Sequence, residues 1–179
     1  KGDKEEATMA FDQALKLARN DESLTSKIQS KKLEFALEEG NIKETREAFQ
    51  TPIASGKPYS NAIQLLLRYL SDNREPKAIE NILVLADDLI KEYPSDGDLF
   101  HMKAKVLFQI GRFADAKQLI ENFIKQNPSN ISGGLLEVYG DNLFMLNQID
   151  AAVEQWKKAK NTGSTSDKID QKIADKKYY

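Results

Sequence analysis

With 179 residues, 40% of them hydrophobic, and only 9 Gly and 5 Pro, the chain has ample material for a folded core and no sign of a disordered or low-complexity segment. A formal net charge of −2 gives no global basic field, which argues against nucleic acid as the main partner. The absence of cysteine removes disulfides, thiolate catalysis and cysteine-ligated metals together, and leaves the compartment open.

Helical periodicity runs almost from end to end and strand-like alternation is missing. After the turn signal Gly2-Asp3, residues 3–19 place Ala7, Phe11, Ala14, Leu15 and Ala18 on one apolar stripe with no partner helix before it. Residues 1–19 are thus predicted to be the second helix of a truncated repeat in a fragment of a longer protein. That helix is expected to fray or to meet another copy, so monomer and weak dimer both stay open. The opening KGDKEEATMAF lacks the apolar core of a signal peptide, and no run of about 18 apolar residues could cross a membrane. Because a fragment says nothing of its parent's leader, cytoplasmic and cell-envelope locations are both compatible with the sequence.

Helices are predicted next at 22–38 and 42–50, separated by the turn Gly40-Asn41. Residues 51–58 hold Pro52, Gly56 and Pro58, and are read as a connector where the array could bend. Further helices are predicted at 59–72, 76–92, 97–110, 113–126, 132–146, 149–161 and 166–177, about ten in all. Gly111-Arg112 turns the chain within a hairpin, whereas Tyr93-Pro94-Ser95 and Asn127-Pro128-Ser129 end one hairpin and begin the next.

Two stretches have the same design. Residues 99–128 and 135–160, aligned on Gly111 and Asn147, share the order apolar helix, short turn, small-residue helix. Such a period predicts stacked helical hairpins, none of which can bury its apolar face alone. Leu136, Tyr139, Gly140, Leu143, Ala152 and Trp156 then fall on the spacing W-x2-L-G-x2-Y followed by A-x3-F, which resembles the tetratricopeptide repeat. Phe100, Ala104, Leu107, Gly111, Ala116, Ile120 and Pro128 repeat the order one unit earlier, with Lys103 where a large apolar residue is usual. Gly140 and Ala104 on one helix, and Ala152 and Ala116 on the other, would allow close crossing. Upstream the match thins to Ile82, Ala86 and Leu89, and then to Gly40, Ile42 and Phe49.

The resemblance is to the long multi-repeat tetratricopeptide proteins of Bacteroidetes. It implies an all-α, right-handed α-solenoid of antiparallel hairpins over 1–179, with degenerate repeats at 22–50 and 59–94, clear repeats at 97–128 and 133–161, and a capping helix at 166–177. That cap has Ile169 and Ile173, with Tyr178 as a candidate third, on its apolar stripe. From Lys157 onward seven lysines face three aspartates, read as solvated charge near helix ends.

Catalytic chemistry is hard to place. His101 is the single histidine and is read as an ordinary exposed or partly packed side chain. Asp87-Asp88, Glu5-Glu6 and Glu38-Glu39 are adjacent on helices and point about 100° apart, so no pair shares a site. Ser132-Gly133-Gly134 lacks the lysine of a phosphate loop and is read as a flexible joint, and Trp156 as core. No enzyme, cofactor or metal site is predicted.

What the resemblance implies instead is peptide or protein binding in a concave groove lined by the first helix of each hairpin. Carried over, that groove exposes Gln64, Leu67, Arg68 and Ser71, then Asp98, His101, Lys105 and Phe108, then Glu137, Asp141 and Phe144. Ser71, Lys105 and Asp141 do not match the carboxylate clamp of co-chaperone repeats. A spacer within a larger envelope or assembly protein, without a ligand of its own, is the alternative.

Overall fold

The computed structural model describes residues 2–39, 43, 45, 47, 76–163 and 165–179, and every regular element among them is helical. Among the described residues eight helices follow in order: α1 Gly2–Ala18, α2 Glu22–Glu38, α3 Pro76–Glu92, α4 Gly97–Gln109, α5 Phe113–Gln126, α6 Gly133–Met145, α7 Ile149–Thr162 and α8 Ile169–Asp175. The predicted helix 59–72, the connector 51–58 and groove residues Gln64, Leu67, Arg68 and Ser71 lie outside the described residues. Of 42–50 only Lys43, Thr45 and Glu47 are described, all helical. Two compact units are present, Lys1–Leu85 and Ala86–Tyr179.

In the first unit α1 and α2 form a hairpin closed by local capping. The Asp21 carboxylate accepts from the Leu24 N–H at 2.9 Å, and the Thr25 hydroxyl donates to the Ala18 carbonyl at 2.8 Å. Phe11 of the predicted stripe meets Phe35 at a centroid distance of 5.8 Å, and Lys32 reaches Asp12 at 2.6 Å. The stripe therefore has its partner after it in sequence, on α2.

The second unit contains two hairpins, α4 with α5 and α6 with α7; α4 and α5 also pack against α6, and α8 against α7. The two hairpin turns are alike down to their hydrogen bonds. Gly111 and Asn147 both take left-handed φ values, 76° and 60°. The Arg112 N–H donates to the Leu107 carbonyl and the Gln148 N–H to the Leu143 carbonyl, each at 2.9 Å. This six-to-one bond satisfies a helix-end carbonyl and requires a left-handed residue, for which Gly is best suited and Asn next. The proline turns match as well: the Asp96 N–H donates to Tyr93 and the Asn130 N–H to Asn127, both at 3.1 Å. The Asn130 side chain also donates to the Ser95 carbonyl, tying the second turn to the first.

Small residues let these helices approach. Ala104, Ala116 and Ala152 are fully buried. A Cβ on Gly140 would lie 2.4 Å from Trp156 Cδ1, so the indole occupies the space that the missing side chain leaves. Around that crossing Leu136, Leu143, Val153, Trp156, Ala159 and Ile169 form one apolar cluster, and Phe100, Ile120, Phe123, Leu135 and Val138 form another. Lys103, the odd residue of its repeat, keeps its ammonium on Asp87 of α3 while its stem is largely covered.

Two expectations need correction. Ser132-Gly133-Gly134 is a tight helix start rather than a flexible joint. Ser132 caps α6 by accepting from the Leu135 N–H at 3.2 Å, and Gly133 is buried where a Cβ would sit 1.7 Å from the Gly163 carbonyl oxygen. The terminal helix is also shorter than predicted, beginning at Ile169 and ending at Asp175. Ser166 lies ahead of the helix start: its N–H and hydroxyl donate to Glu137, while its hydroxyl oxygen accepts from the Lys168 N–H at 3.3 Å.

Candidate functional site

The described part of the expected groove lies wholly in the second unit, on α4 and α6. Helical spacing puts Asp98, His101, Lys105 and Phe108 on one face of α4, and Glu137, Asp141 and Phe144 on the corresponding face of α6. Lys105 is exposed, whereas Asp98, His101, Phe108 and Phe144 are half-buried. Glu137 and Asp141 depart from the expectation of exposure: they retain only 6% and 8% of their accessible surface. The cause is a cation from elsewhere in the chain.

Lys172 of α8 inserts its ammonium between them, 2.8 Å from Glu137 Oε1 and 2.7 and 2.9 Å from the two Asp141 oxygens. Its side chain is 4% exposed. Asp141 also accepts from the Trp156 indole N–H at 2.9 Å, and Glu137 from the Ser166 N–H at 2.8 Å and its hydroxyl at 2.5 Å. Buried charges on this scale persist only when paired and hydrogen-bonded.

The protonation equilibria follow the geometry. Burial works against the Glu137 carboxylate, yet hydrogen bonds from Lys172 and Ser166 outweigh it and hold its pKa below the ordinary value. Burial opposes the Lys172 ammonium too, and is outweighed by Asp141 and then Glu137, which raise it. Burial pushes the Asp141 carboxyl up, against the pull of Lys172 and the indole. With three donated hydrogen bonds on its oxygens, Asp141 is the carboxylate partner of that ammonium.

Tyr178 completes the cover. Its ring lies 5.2 Å from that of Phe108, and Lys172 Nζ stands 5.1 Å from its centroid and 5.9 Å from that of Trp156. Segment 166–178 therefore lies on Phe108, Glu137 and Asp141, three of the seven described groove residues. Sequence reasoning missed Ser166, Lys172 and Tyr178 as contributors to this face. One signal was present: Lys172 falls between Ile169 and Ile173 on the side of the helix expected to be buried.

His101 packs against α6 where Gly134 leaves room, a Cβ there falling 3.0 Å from His101 Cε1. Burial, then the neighbouring Lys105 charge, lower its pKa to about 4, while Asp98 and Glu137 pull weakly the other way. A histidine with a lowered folded pKa favours the neutral ring, so its contribution is present above its ordinary 6.5 and is lost as pH falls toward 4. The thermal midpoint should fall between those two values, and His101→Gln should flatten that part of the pH profile; an unchanged profile would show that the ring titrates as if free.

Among the described residues no group of three or more His, Asp or Glu could hold a metal ion, and no helix is long and apolar enough to cross a membrane.

The arrangement has a solved counterpart. A thermophilic TPR protein of Thermus thermophilus superposes with a TM-score of 0.56 at 17% identity, covering 98% of this chain and 91% of that one. The chain has the tetratricopeptide-repeat fold. A tetratricopeptide repeat protein from Parabacteroides merdae is similar at a TM-score of 0.47 and 18% identity, over 98% of this chain and 78% of that one. No family model matches the sequence, and no curated protein matches it. The repeat fold accounts for the expected small-residue crossings and for the paired turns at Gly111 and Asn147.

Proposed function

We propose that this chain is a non-enzymatic protein-interaction scaffold whose face formed by α4 and α6 binds a peptide or protein segment. The observation that carries this reading is that the face already holds a polypeptide through side-chain sockets, with Lys172 between Glu137 and Asp141 and Tyr178 against Phe108. Tetratricopeptide folds supply such faces by presenting successive first helices side by side, so affinity comes from side-chain pockets rather than a cofactor. A single histidine and no cysteine leave little from which to assemble a catalytic centre, in keeping with a binding role.

Placing a photo-reactive amino acid at exposed Lys105 on α4, and separately at exposed Lys125 on α5, tests the assignment in the native cell extract. Capture at position 105 should exceed capture at 125 at least tenfold. Equal or absent capture at both would favour the spacer reading, in which no face has a ligand.

A further inference from the structure

The segment on the groove face combines features that a permanent closing element does not need. Its helix, α8, has seven residues, too short to persist without its contacts. The apolar anchoring of α8 is confined to Ile169, which is buried, and Ile173, which is partly so. Against this, the segment buries a lysine between two acids and sets the Tyr178 ring against Phe108 at a tilt. Two carboxylates brought this close repel each other unless a cation lies between them, so the α6 socket requires an ammonium from whatever covers it. The described groove face carries Asp98, Glu137 and Asp141 against the single cation Lys105, which favours a basic occupant. The distances from one ammonium to three carboxylate oxygens, all between 2.7 and 2.9 Å, suit the three donors of a lysine.

We propose that residues 165–179 are a tethered, displaceable occupant of the groove face, and that the partner they exclude is a polypeptide segment carrying a lysine with an aromatic side chain six residues after it. This rests on the groove reading above and adds the partner's chemistry and its regulation. The tethered segment competes at a high effective concentration, of order millimolar for a short flexible link, so a partner in trans meets a largely filled site. Its apparent affinity is reduced by the fraction of molecules in which the segment is docked. Any event that weakens the segment's hold, such as a change at Ser166 or Tyr178, would open the face to partners.

The probe is a fluorescein-labelled peptide with the sequence of residues 165–179, titrated by anisotropy into the intact protein and into a full-length Lys172→Ala/Tyr178→Ala variant. The variant should bind the peptide at least tenfold more tightly than the unaltered protein does, and a peptide with alanine in place of its Lys172 should lose that gain. A folded variant that binds no peptide, or that binds both peptides alike, overturns the proposal. If the variant does not fold, hydrogen exchange of the unaltered protein decides. Amides of Ile169–Asp175 exchanging at least a hundredfold faster than the core of α6 and α7 support a displaceable segment, whereas equal rates mark a fixed cap and overturn it. Should photo-capture at position 105 succeed while the peptide experiment fails, the groove reading stands and only the displaceable segment is lost.

Discussion

Replacing Gly133 by alanine is expected to destabilise the second unit by about 3 kcal/mol, the upper end of what overpacking produces in a core. The new methyl would lie 1.7 Å from the Gly163 carbonyl oxygen and 2.8 Å from that of Ala159, so two backbone groups on α7 and its end stand in its way. Neither can swing aside as a side chain would. Gly163 itself takes φ 87° and ψ −179°, a conformation open essentially to glycine alone. For a chain of this length the expected loss is roughly 6–12 °C in the thermal midpoint, followed by circular dichroism. Gly134→Ala is the natural control: the nearest atoms to its Cβ belong to the His101 side chain, at 3.0 Å, rather than to backbone. A midpoint for Gly133→Ala within a degree of wild type would show that α6 and α7 are not in close backbone contact.

The contrast between those two glycines also shows how far sequence could reach. Features set by local rules were legible. Gly111 and Asn147 were paired as equivalent turns, and both take the left-handed conformation with matching hydrogen bonds. Ala104, Ala116, Ala152 and Gly140 belong to helix crossings by spacing and Trp156 to the core, and all five are buried. What failed depends on residues far apart in the chain. Gly133 was read as slack because nothing nearby shows that Gly163, thirty residues on, returns to the same point. Glu137 and Asp141 were expected to be exposed because charge at a groove position is ordinarily solvated. Their burial depends on Lys172, thirty-five residues after Glu137, and periodicity cannot encode that pairing.

Trp156→Ala is expected to be the most damaging side-chain truncation, destabilising by about 3–5 kcal/mol. The indole is fully buried, fills the space opposite Gly140, lies tilted with its centroid 6.0 Å from that of Phe144, and donates its N–H to Asp141 at 2.9 Å. Removing it both opens a cavity between α6 and α7 and takes one donor from a buried carboxylate. Trp156→Phe separates the two effects, since it retains most of the ring volume and loses the donor. That variant should lie between wild type and alanine, at a cost of roughly 1–3 kcal/mol, the desolvation penalty of an acceptor short of one partner. Because Lys172 still neutralises Asp141, the lower part of that range is expected. Chemical denaturation followed by far-ultraviolet circular dichroism gives both values, and the order wild type, phenylalanine, alanine is the checkable result. If phenylalanine proved as damaging as alanine, the bond to Asp141 rather than the volume of the ring would hold α6 to α7, and the acid pair beneath Lys172 would be part of the core and not merely its covered edge.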